Sequence, residues 1–330
     1  MQPKTPSRLR LYTAFLQQSY GLSFPDYDSL HQWSITEQGE FWESIARFFD
    51  VDFDTPYQDV FVPETHFWET KWFGGATLNY AQHIFKHATS KRPALVFQNE
   101  AGKFSEISWA QLIAKTYTLQ QELVNQGVTK GDAVVCFGTN SPETIAAFLA
   151  TNALGAVWSS CSPDFGIHAV CERFSQLQPK VLFAHRAYQY NGKQHDCMPR
   201  IAEIQKQIPS IQHTIFLDAH TAFDDAPKTI NDIAFTSVSF SSPIWVLFSS
   251  GTTGKPKALV HGTRAHAFGA SKSPWITSKC LRGRPLFLVF HHRLDDVELC
   301  AEQPALRGNA LSISRGAKLS YKRCVMALCQ

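Results

Sequence analysis

The sequence lacks several features that would indicate particular classes of protein. No apolar run approaches the roughly 20 residues that a membrane-spanning helix requires. Lys4, Arg8 and Arg10 are not followed by the continuous apolar segment of a secretory signal, although the absence of acids before Asp26 leaves a mitochondrial presequence open. The 8 cysteines form no CxxC pair and no metal-ligand spacing. We therefore expect no membrane span, no protein-bound metal, reduced thiols and a cytoplasmic (cytosolic) location.

Hydrophobic and aromatic residues are abundant, at 44% and 13% of the 330 residues, and this content favours packed cores over disorder. The charge is divided unevenly along the chain. Residues 1–263 carry 20 Lys+Arg against 24 Asp+Glu, whereas residues 264–330 carry 11 against 4, so the net charge changes from −4 to +7. A basic tail can indicate a nucleic-acid partner. We predict no such partner, because the composition of the tail has a different explanation, given below.

The first of three zones, residues 1–92, is rich in aromatic residues that recur among Pro, Gly and Asp. Its pattern predicts an irregular cap that lays aromatic side chains on a neighbouring domain. A stacking platform for nucleic acid would need interleaved Lys and Arg, and this stretch has more acids than bases. The aromatic residues that define the zone are Trp33, Phe41, Trp42, Phe48, Phe49, Phe67, Trp68, Trp72 and Phe73.

The second zone, residues 93–263, alternates short apolar runs with helical periods. This alternation predicts βαβ units and an α/β fold with mostly parallel sheets and flanking helices. The predicted strands are Ala133–Phe137, one starting at Gly155–Trp158, Val181–Ala184, His213–Leu217 and Ile244–Phe248. The predicted helices are Pro142–Leu154, Ile167–Leu177 and Ile201–Ile208.

The last of these strands runs directly into a loop of small, hydroxyl-bearing and glycine residues. Gly251 and Gly254 permit backbone conformations that are closed to other residues, and they let N–H groups approach an anion. Lys257 supplies a positive charge. A Walker A loop is excluded because Pro256 follows Lys255 where that motif has Ser or Thr. Four hydroxyl groups can donate hydrogen bonds to phosphate oxygens, those of Ser249, Ser250, Thr252 and Thr253.

The nine-residue string Ser249–Lys257 resembles the signature loop of the acyl-adenylate-forming superfamily, which includes acyl-CoA synthetases and luciferases. The resemblance implies a partial N-terminal domain of the adenylate-forming, acyl-CoA synthetase-like fold. It also implies ATP, Mg²⁺ and CoA as cofactors and substrates, with the loop binding the β- and γ-phosphates of ATP. The residues to which it assigns phosphate binding are Ser249, Ser250, Gly251, Thr252, Thr253, Gly254 and Lys257.

Further segments are similar to the acetoacetyl-CoA synthetase group within that superfamily. They are Trp72–Ala81 (WFGGATLNYA), Gly155–Gly166 (GAVWSSCSPDFG), Gln178–Phe183 and Tyr190–Lys193. The resemblance implies an acetoacetate–CoA ligase whose small-molecule substrates are acetoacetate, ATP and CoA.

The residues that select the acid are less evident from the sequence. Trp158, Ser160 and Asp164 follow a strand, where open α/β sheets bind ligands, and are candidates for an acid pocket. Asp164 has a structural alternative as the cap of the next helix.

The third zone, residues 264–330, loses both the periodicity and the family resemblance. His291–Leu299 can be encoded by codons that, read one nucleotide later, give TTGWMMWN, a string expected in this group. Arg264–Trp275 and Arg323–Cys329 yield family-like segments at the same offset. We therefore predict a frameshift near Gly262–Arg264, with an aberrant, out-of-frame tail. A genuine alternative exon, or a divergent tail with an interaction role, is the competing explanation.

The resemblance also implies several catalytic and substrate-binding residues for which this sequence contains no match. The adenylation lysine, the adenine-contacting aromatic, the Mg²⁺-binding glutamate and the ribose-binding aspartate lie downstream in the family. We therefore expect a truncated chain that does not complete catalysis, with its catalytic residues unassigned. Two other functions stay open: a ligase for another short-chain acid, and a non-catalytic nucleotide-binding fragment or pseudogene product.

Overall fold

The computed structural model describes residues 8–66, 69–99, 104–220, 228–249, 254–263 and 311–314. They divide into two compact units. The first unit holds the residues up to Leu78, together with Ser237–Ser242 and the short stretch 262–263. The second unit holds Asn79–Thr236, Pro243–His261 and Leu311–Ser314. The division at Leu78 falls earlier in the chain than the boundary after residue 92 that the composition suggests.

The second unit is built on a six-stranded sheet with the order β11-β8-β6-β7-β13-β14. Its first five strands pair in parallel, as the alternation of apolar runs and helical periods predicts. The six strands are β6 (Ala133–Phe137), β7 (Val157–Cys161), β8 (Val181–Ala184), β11 (His213–Phe216), β13 (Pro243–Ser249) and β14 (Lys257–Gly262).

Helices flank both faces of this sheet. Val134 and Val181 share a core with residues of α5 (Trp109–Asn125) and α6 (Pro142–Ala153). The neighbouring Val135 points to the other face, where it shares a core with α7 (Ile167–Phe174) and α8 (Met198–Gln207). The strands are therefore buried on both faces, which explains why they are continuous apolar runs rather than alternating ones.

Local capping fixes where the helices of this unit begin. Ser108 forms a reciprocal capping box with Gln111 at the start of α5. Ser141 accepts a hydrogen bond from the backbone N–H of Thr144, and Pro142 occupies the first turn of α6. The unit also contains α4 (Tyr80–Phe85), the pair β4 (Leu95–Gln98) and β5 (Phe104–Ile107), and the hairpin of β9 (Ala187–Tyr190) with β10 (Lys193–Asp196).

The sequence-based expectations for this unit are confirmed closely. The structure places β6 and β8 at the predicted bounds, and the other strands and helices differ from prediction by a few residues at their ends. The largest differences are that α7 ends at Phe174 and continues as a 3-10 turn over Ser175–Leu177, and that α8 begins at Met198 rather than Ile201. No helix in the described ranges has the length and apolar character needed to cross a bilayer.

The first unit corrects the expectation of an irregular segment. It contains three helices, α1 (Arg8–Tyr20), α2 (Tyr27–Thr36) and α3 (Gln38–Phe48). Two antiparallel pairs follow, β1 (Asp59–Val62) with β2 (Lys71–Gly74), and β3 (Thr77–Leu78) with β12 (Val238–Ser239). The start of α2 lacks the Glu or Gln of a standard capping box: Asp26 caps this helix reciprocally with Ser29.

The aromatic residues of this unit pack mainly on one another. Phe73 is almost fully buried and meets Phe53, Tyr57 and Phe240 at centroid distances of 5.4, 5.2 and 4.9 Å. They therefore form a core of their own, which explains their density in the sequence. Phe67 and Trp68 lie outside the described residues.

In the zone after Thr263, the structure describes only β15 (Leu311–Ser314), a strand parallel to β4. The out-of-frame tail remains a prediction for these residues.

Candidate phosphate-binding site

The predicted phosphate loop begins at the end of a buried strand. Ile244, Trp245 and Val246 of β13 are buried, and the strand ends at the half-buried Ser249. β13 lies between β7 and β14, and it is in register with β7 at Trp245 and Trp158. The loop therefore starts at the carboxyl end of a strand inside a mostly parallel sheet, which is where such sheets bind ligands. Four of the predicted phosphate-binding residues, Ser250, Gly251, Thr252 and Thr253, lie outside the described residues.

The described exit of the loop contains a glycine in a conformation that other residues avoid. Gly254 has φ = +129°, and a Cβ built there would meet no atom within 4 Å. The requirement for glycine at this position is therefore conformational rather than steric. The glycine is followed by Lys255, then by the buried Pro256, and then by Lys257, the first residue of β14.

Two lysines give the exit of the loop its charge. Lys255 and Lys257 are both exposed, and neither has an acidic partner among the described residues. Their ammonium groups are thus available to an anion at the exit of the loop. Because Lys255 precedes a buried proline and Lys257 opens a strand, the two charges are attached to backbone of defined conformation.

The structure separates the three candidate residues of the acid pocket. Trp158 is only 2% exposed and packs in the core, with its ring 5.9 Å from Phe148 and 6.1 Å from Phe183. Ser160 lies on the same face of β7 near its carboxyl end and is half-buried. Asp164 is exposed in the turn that follows. The three residues therefore span a gradient from the core to the surface.

The alternative role of Asp164 as a helix cap is wrong. The residue at the N-cap of α7 is Gly166, and no side chain caps this helix. Asp164 lies two residues before that position, in a turn closed by the N–H of Phe165 bonding to the carbonyl of Ser162. Its carboxylate is therefore not used by the backbone of α7.

The described ranges contain no group of three or more His, Cys, Asp and Glu residues able to hold a metal ion. The buried thiols are unsuited to ionisation, since burial raises the pKa of Cys161 to about 12.

Comparison with known proteins places this arrangement in a family. The model of the AMP-binding enzyme family matches residues 84–315, and the model described as the acetyl-coenzyme A synthetase N-terminus matches residues 27–84. The chain belongs to the AMP-binding enzyme family. The match continues beyond Thr263, where the motif resemblance ends.

Within that family, the chain is similar to acetoacetyl-CoA synthetases. It is 32% identical over 290 residues to the protein of that name from Macaca fascicularis, an alignment covering 78% of this chain and 42% of the relative. It is 35% identical over 260 residues to the acetoacetyl-coenzyme A synthetase of Rhizobium meliloti, covering 73% and 39%. The structure of acetoacetyl-CoA synthetase from Streptomyces lividans superposes with a TM-score of 0.71 at 37% identity, covering 78% of this chain and 41% of that one. The chain therefore spans about two fifths of the length of these relatives.

Proposed function

We propose that this chain derives from an acetoacetate–CoA ligase and carries the phosphate-binding part of its site. The supporting observation is the loop Ser249–Lys257, whose described ends are attached to β13 and β14 of a sheet of the AMP-binding family. In the proposed reaction, a carboxylate oxygen of acetoacetate attacks the α-phosphorus of ATP and pyrophosphate leaves. The sulfur of CoA then attacks the acyl carbonyl, and AMP leaves with the bridging oxygen.

The loop's contribution is to stabilise negative charge on the leaving pyrophosphate. Backbone N–H groups and hydroxyls would donate to its oxygens, and Lys257 would act on it as a point charge. Mg²⁺ would enter with the phosphates of ATP and neutralise part of their charge. Ser160 and Asp164 are proposed to border the acid pocket, with Trp158 supporting Ser160 from the core.

ATP binding by the purified chain tests the loop directly. We expect ATP to raise the thermal midpoint of the wild-type chain, and Lys257→Met to remove most of that increase. Lys255→Met is the comparison variant, because this lysine is also exposed two residues earlier but lies outside the residues to which the resemblance assigns phosphate binding. Equal losses in both variants, or no stabilisation of the wild type, would contradict the assignment.

We further propose that the residues of this sequence alone do not complete catalysis, because none of them matches the adenylation lysine that the family resemblance implies. Acetoacetate-dependent exchange of pyrophosphate into ATP should stay at background for this chain. Exchange above background that is abolished by Lys257→Met would refute this proposal. A panel of acetate, propionate, acetoacetate and longer acids, applied to a chain with the reading frame restored, would separate the acetoacetate ligase from a ligase for another acid.

A non-catalytic nucleotide-binding fragment is the second candidate, favoured by a predicted phosphate loop in residues that include no match to the adenylation lysine implied by the resemblance. ATP binding without exchange, in a chain whose gene reads continuously through this region, would support it. We propose instead that residues 264–330 are out of frame. Sequencing independent transcripts across codons 260–266 decides between a continuous reading frame and a frameshift, and an uninterrupted frame encoding Arg264–Gln330 would overturn the frameshift.

The proposed location is the cytosol, which imaging of a tagged chain would test.

A further inference from the structure

Two side chains of the second unit bind the backbone on either side of the phosphate loop. Both come from the segment Val157–Leu177, which comprises β7, α7 and the 3-10 turn that follows. This segment also carries Ser160 and Asp164, the accessible candidates for the acid pocket. One stretch of chain thus contacts both ends of the loop and borders the region where the acid is proposed to bind.

The contact on the entry side is a buried hydroxyl. Ser159 is fully buried in β7, and its Oγ donates a 2.7 Å hydrogen bond to the carbonyl oxygen of Val246 in β13. Val246 precedes Ser249 by three residues, so the bond acts close to the start of the loop. An O–H donor in a buried site forms a stronger contact than one exposed to water, and removing Ser159 Oγ takes one donor from the carbonyl of Val246.

The contact on the exit side comes from the turn after α7. The Nε2 amide of Gln176 donates to the carbonyl of Pro256 at 3.1 Å and to the carbonyl of Glu172 at 2.8 Å. Each of the two N–H groups thus has its own acceptor, so the amide is held in one orientation. Pro256 is buried and immediately precedes Lys257, so this bond fixes the position from which that lysine extends.

We propose that Ser159 and Gln176 are positioning residues that hold the entry and exit of the phosphate loop at a fixed separation. The role rests on the proposed function, because a loop held in advance loses less conformational freedom when it binds phosphates. It also gives the phosphate loop and the acid pocket a common support, which aligns the carboxylate with the α-phosphate. Neither side chain is expected to touch ATP.

The first experiment requires no ligand. Trypsin cleaves after Lys257 but not after Lys255, because proline follows Lys255, so the rate of cleavage at Lys257 reports how firmly the exit is held. We expect Gln176→Met to accelerate this cleavage about threefold to tenfold, the equivalent of one hydrogen bond. Gln176→Glu keeps the length of the side chain, has no N–H donor when ionised and adds no site for trypsin, so it should be cleaved as fast as Gln176→Met. Gln207→Met is the matched control, since Gln207 also donates from the end of a helix, to Glu203, but away from the loop.

The second experiment measures the dissociation constant for ATP in the same variants. Gln176→Met and Ser159→Ala should each raise it roughly threefold to tenfold. For Ser159 the control is Thr151→Val, which removes a buried hydroxyl bonded within α6. The thermal midpoint of the Gln176 variants should change by less than about 2 °C, which separates positioning from general destabilisation.

The outcomes distinguish the positioning role of Ser159 and Gln176 from the proposed function in ATP binding. Unchanged cleavage and unchanged ATP affinity in Gln176→Met, or slow cleavage in Gln176→Glu, would overturn the positioning role even if Ser159→Ala does not fold. Faster cleavage in Gln176→Met, with no ATP binding by the wild type, would retain the exit contact and refute the proposed function.

Discussion

Two cores of this chain use different side chains: the core of the first unit, and the core around α7 and α8 in the second. In the first unit, buried rings meet mostly edge to face, as Tyr12 does with Phe41 and Phe48. In the second unit, the core around α7 and α8 is largely aliphatic, with residues such as Val135, Leu182 and Ile204. Ring contacts depend on specific angles, whereas aliphatic packing depends mainly on volume. The comparison therefore predicts that equivalent substitutions will have different consequences in the two units.

The largest decrease in the free energy of unfolding should follow truncation of a buried ring in the aliphatic core. Phe174 is fully buried in α7, and Phe174→Ala should lower the free energy of unfolding by about 3–5 kcal/mol. Urea denaturation followed by circular dichroism measures the change. Phe104→Ala is the control, because that ring is 58% exposed and its removal should have almost no effect. Similar losses in both variants would contradict the assigned core.

A smaller decrease in the free energy of unfolding should follow removal of the buried amide of Asn79, the first residue of the second unit. Nδ2 of Asn79 donates to the carbonyls of Asn152, Ala153 and Thr236, while its Oδ1 accepts from the N–H of Gln82 and caps α4. Asn79→Ala should cost about 2–3 kcal/mol because buried acceptors lose their donor. Asn79→Asp, which keeps the capping oxygen, should not recover that loss. Recovery by aspartate would assign the whole effect to capping.

The comparison between the cores is tested most directly by leucine, which keeps much of the volume of phenylalanine but has no ring. Phe73→Leu in the first unit should cost about 2 kcal/mol, because three ring contacts are lost. Phe174→Leu in the second unit should cost about 1 kcal/mol. The same denaturation assay measures both variants. An equal cost would show that ring geometry contributes little to the first unit.

The smallest effect concerns pH at the exposed edge of the sheet. Burial lowers the pKa of His261 in β14, so the folded state holds its imidazole neutral where the unfolded state begins to bind a proton. The stability from this group is present above its ordinary pKa of about 6.5 and is lost as the pH falls below that value. His261→Gln should make the decline of the thermal midpoint between about pH 7.5 and 5.5 shallower. The exposed His213 provides the control, and an equal change in His213→Gln would contradict the prediction.

The two units also differ in how far their sequences predict their structures. In the second unit, strands such as Ala133–Phe137 are short apolar runs separated by helical periods, so their positions follow from periodicity. In the first unit, aromatic side chains contribute to a core from several elements at once, and α2 shows no simple apolar stripe. Its start is fixed by Asp26 and Ser29, a reciprocal cap that differs from the usual pattern. Periodicity therefore missed all three helices of the first unit.

The candidate site likewise has one part that the sequence predicts and another part that it does not. The string Ser249–Lys257 predicts a phosphate loop, because its glycines, hydroxyls and lysine suit an anion and because it resembles the signature loop of the adenylate-forming superfamily. The supports of that loop are absent from any local pattern. Ser159 contacts a carbonyl 87 residues away, and Gln176 contacts one 80 residues away.

The sequence by itself determined the α/β class and the parallel strands of the second unit, and it predicts a phosphate loop at Ser249–Lys257, because each depends on local residue types, short periods or a short motif. Only the tertiary structure decided that Trp158 belongs to the core, that Asp164 does not cap α7, and that Ser159 and Gln176 bind the ends of the loop. The reason is physical: these properties depend on which distant segments the sheet brings into contact, and a linear pattern carries no record of those contacts.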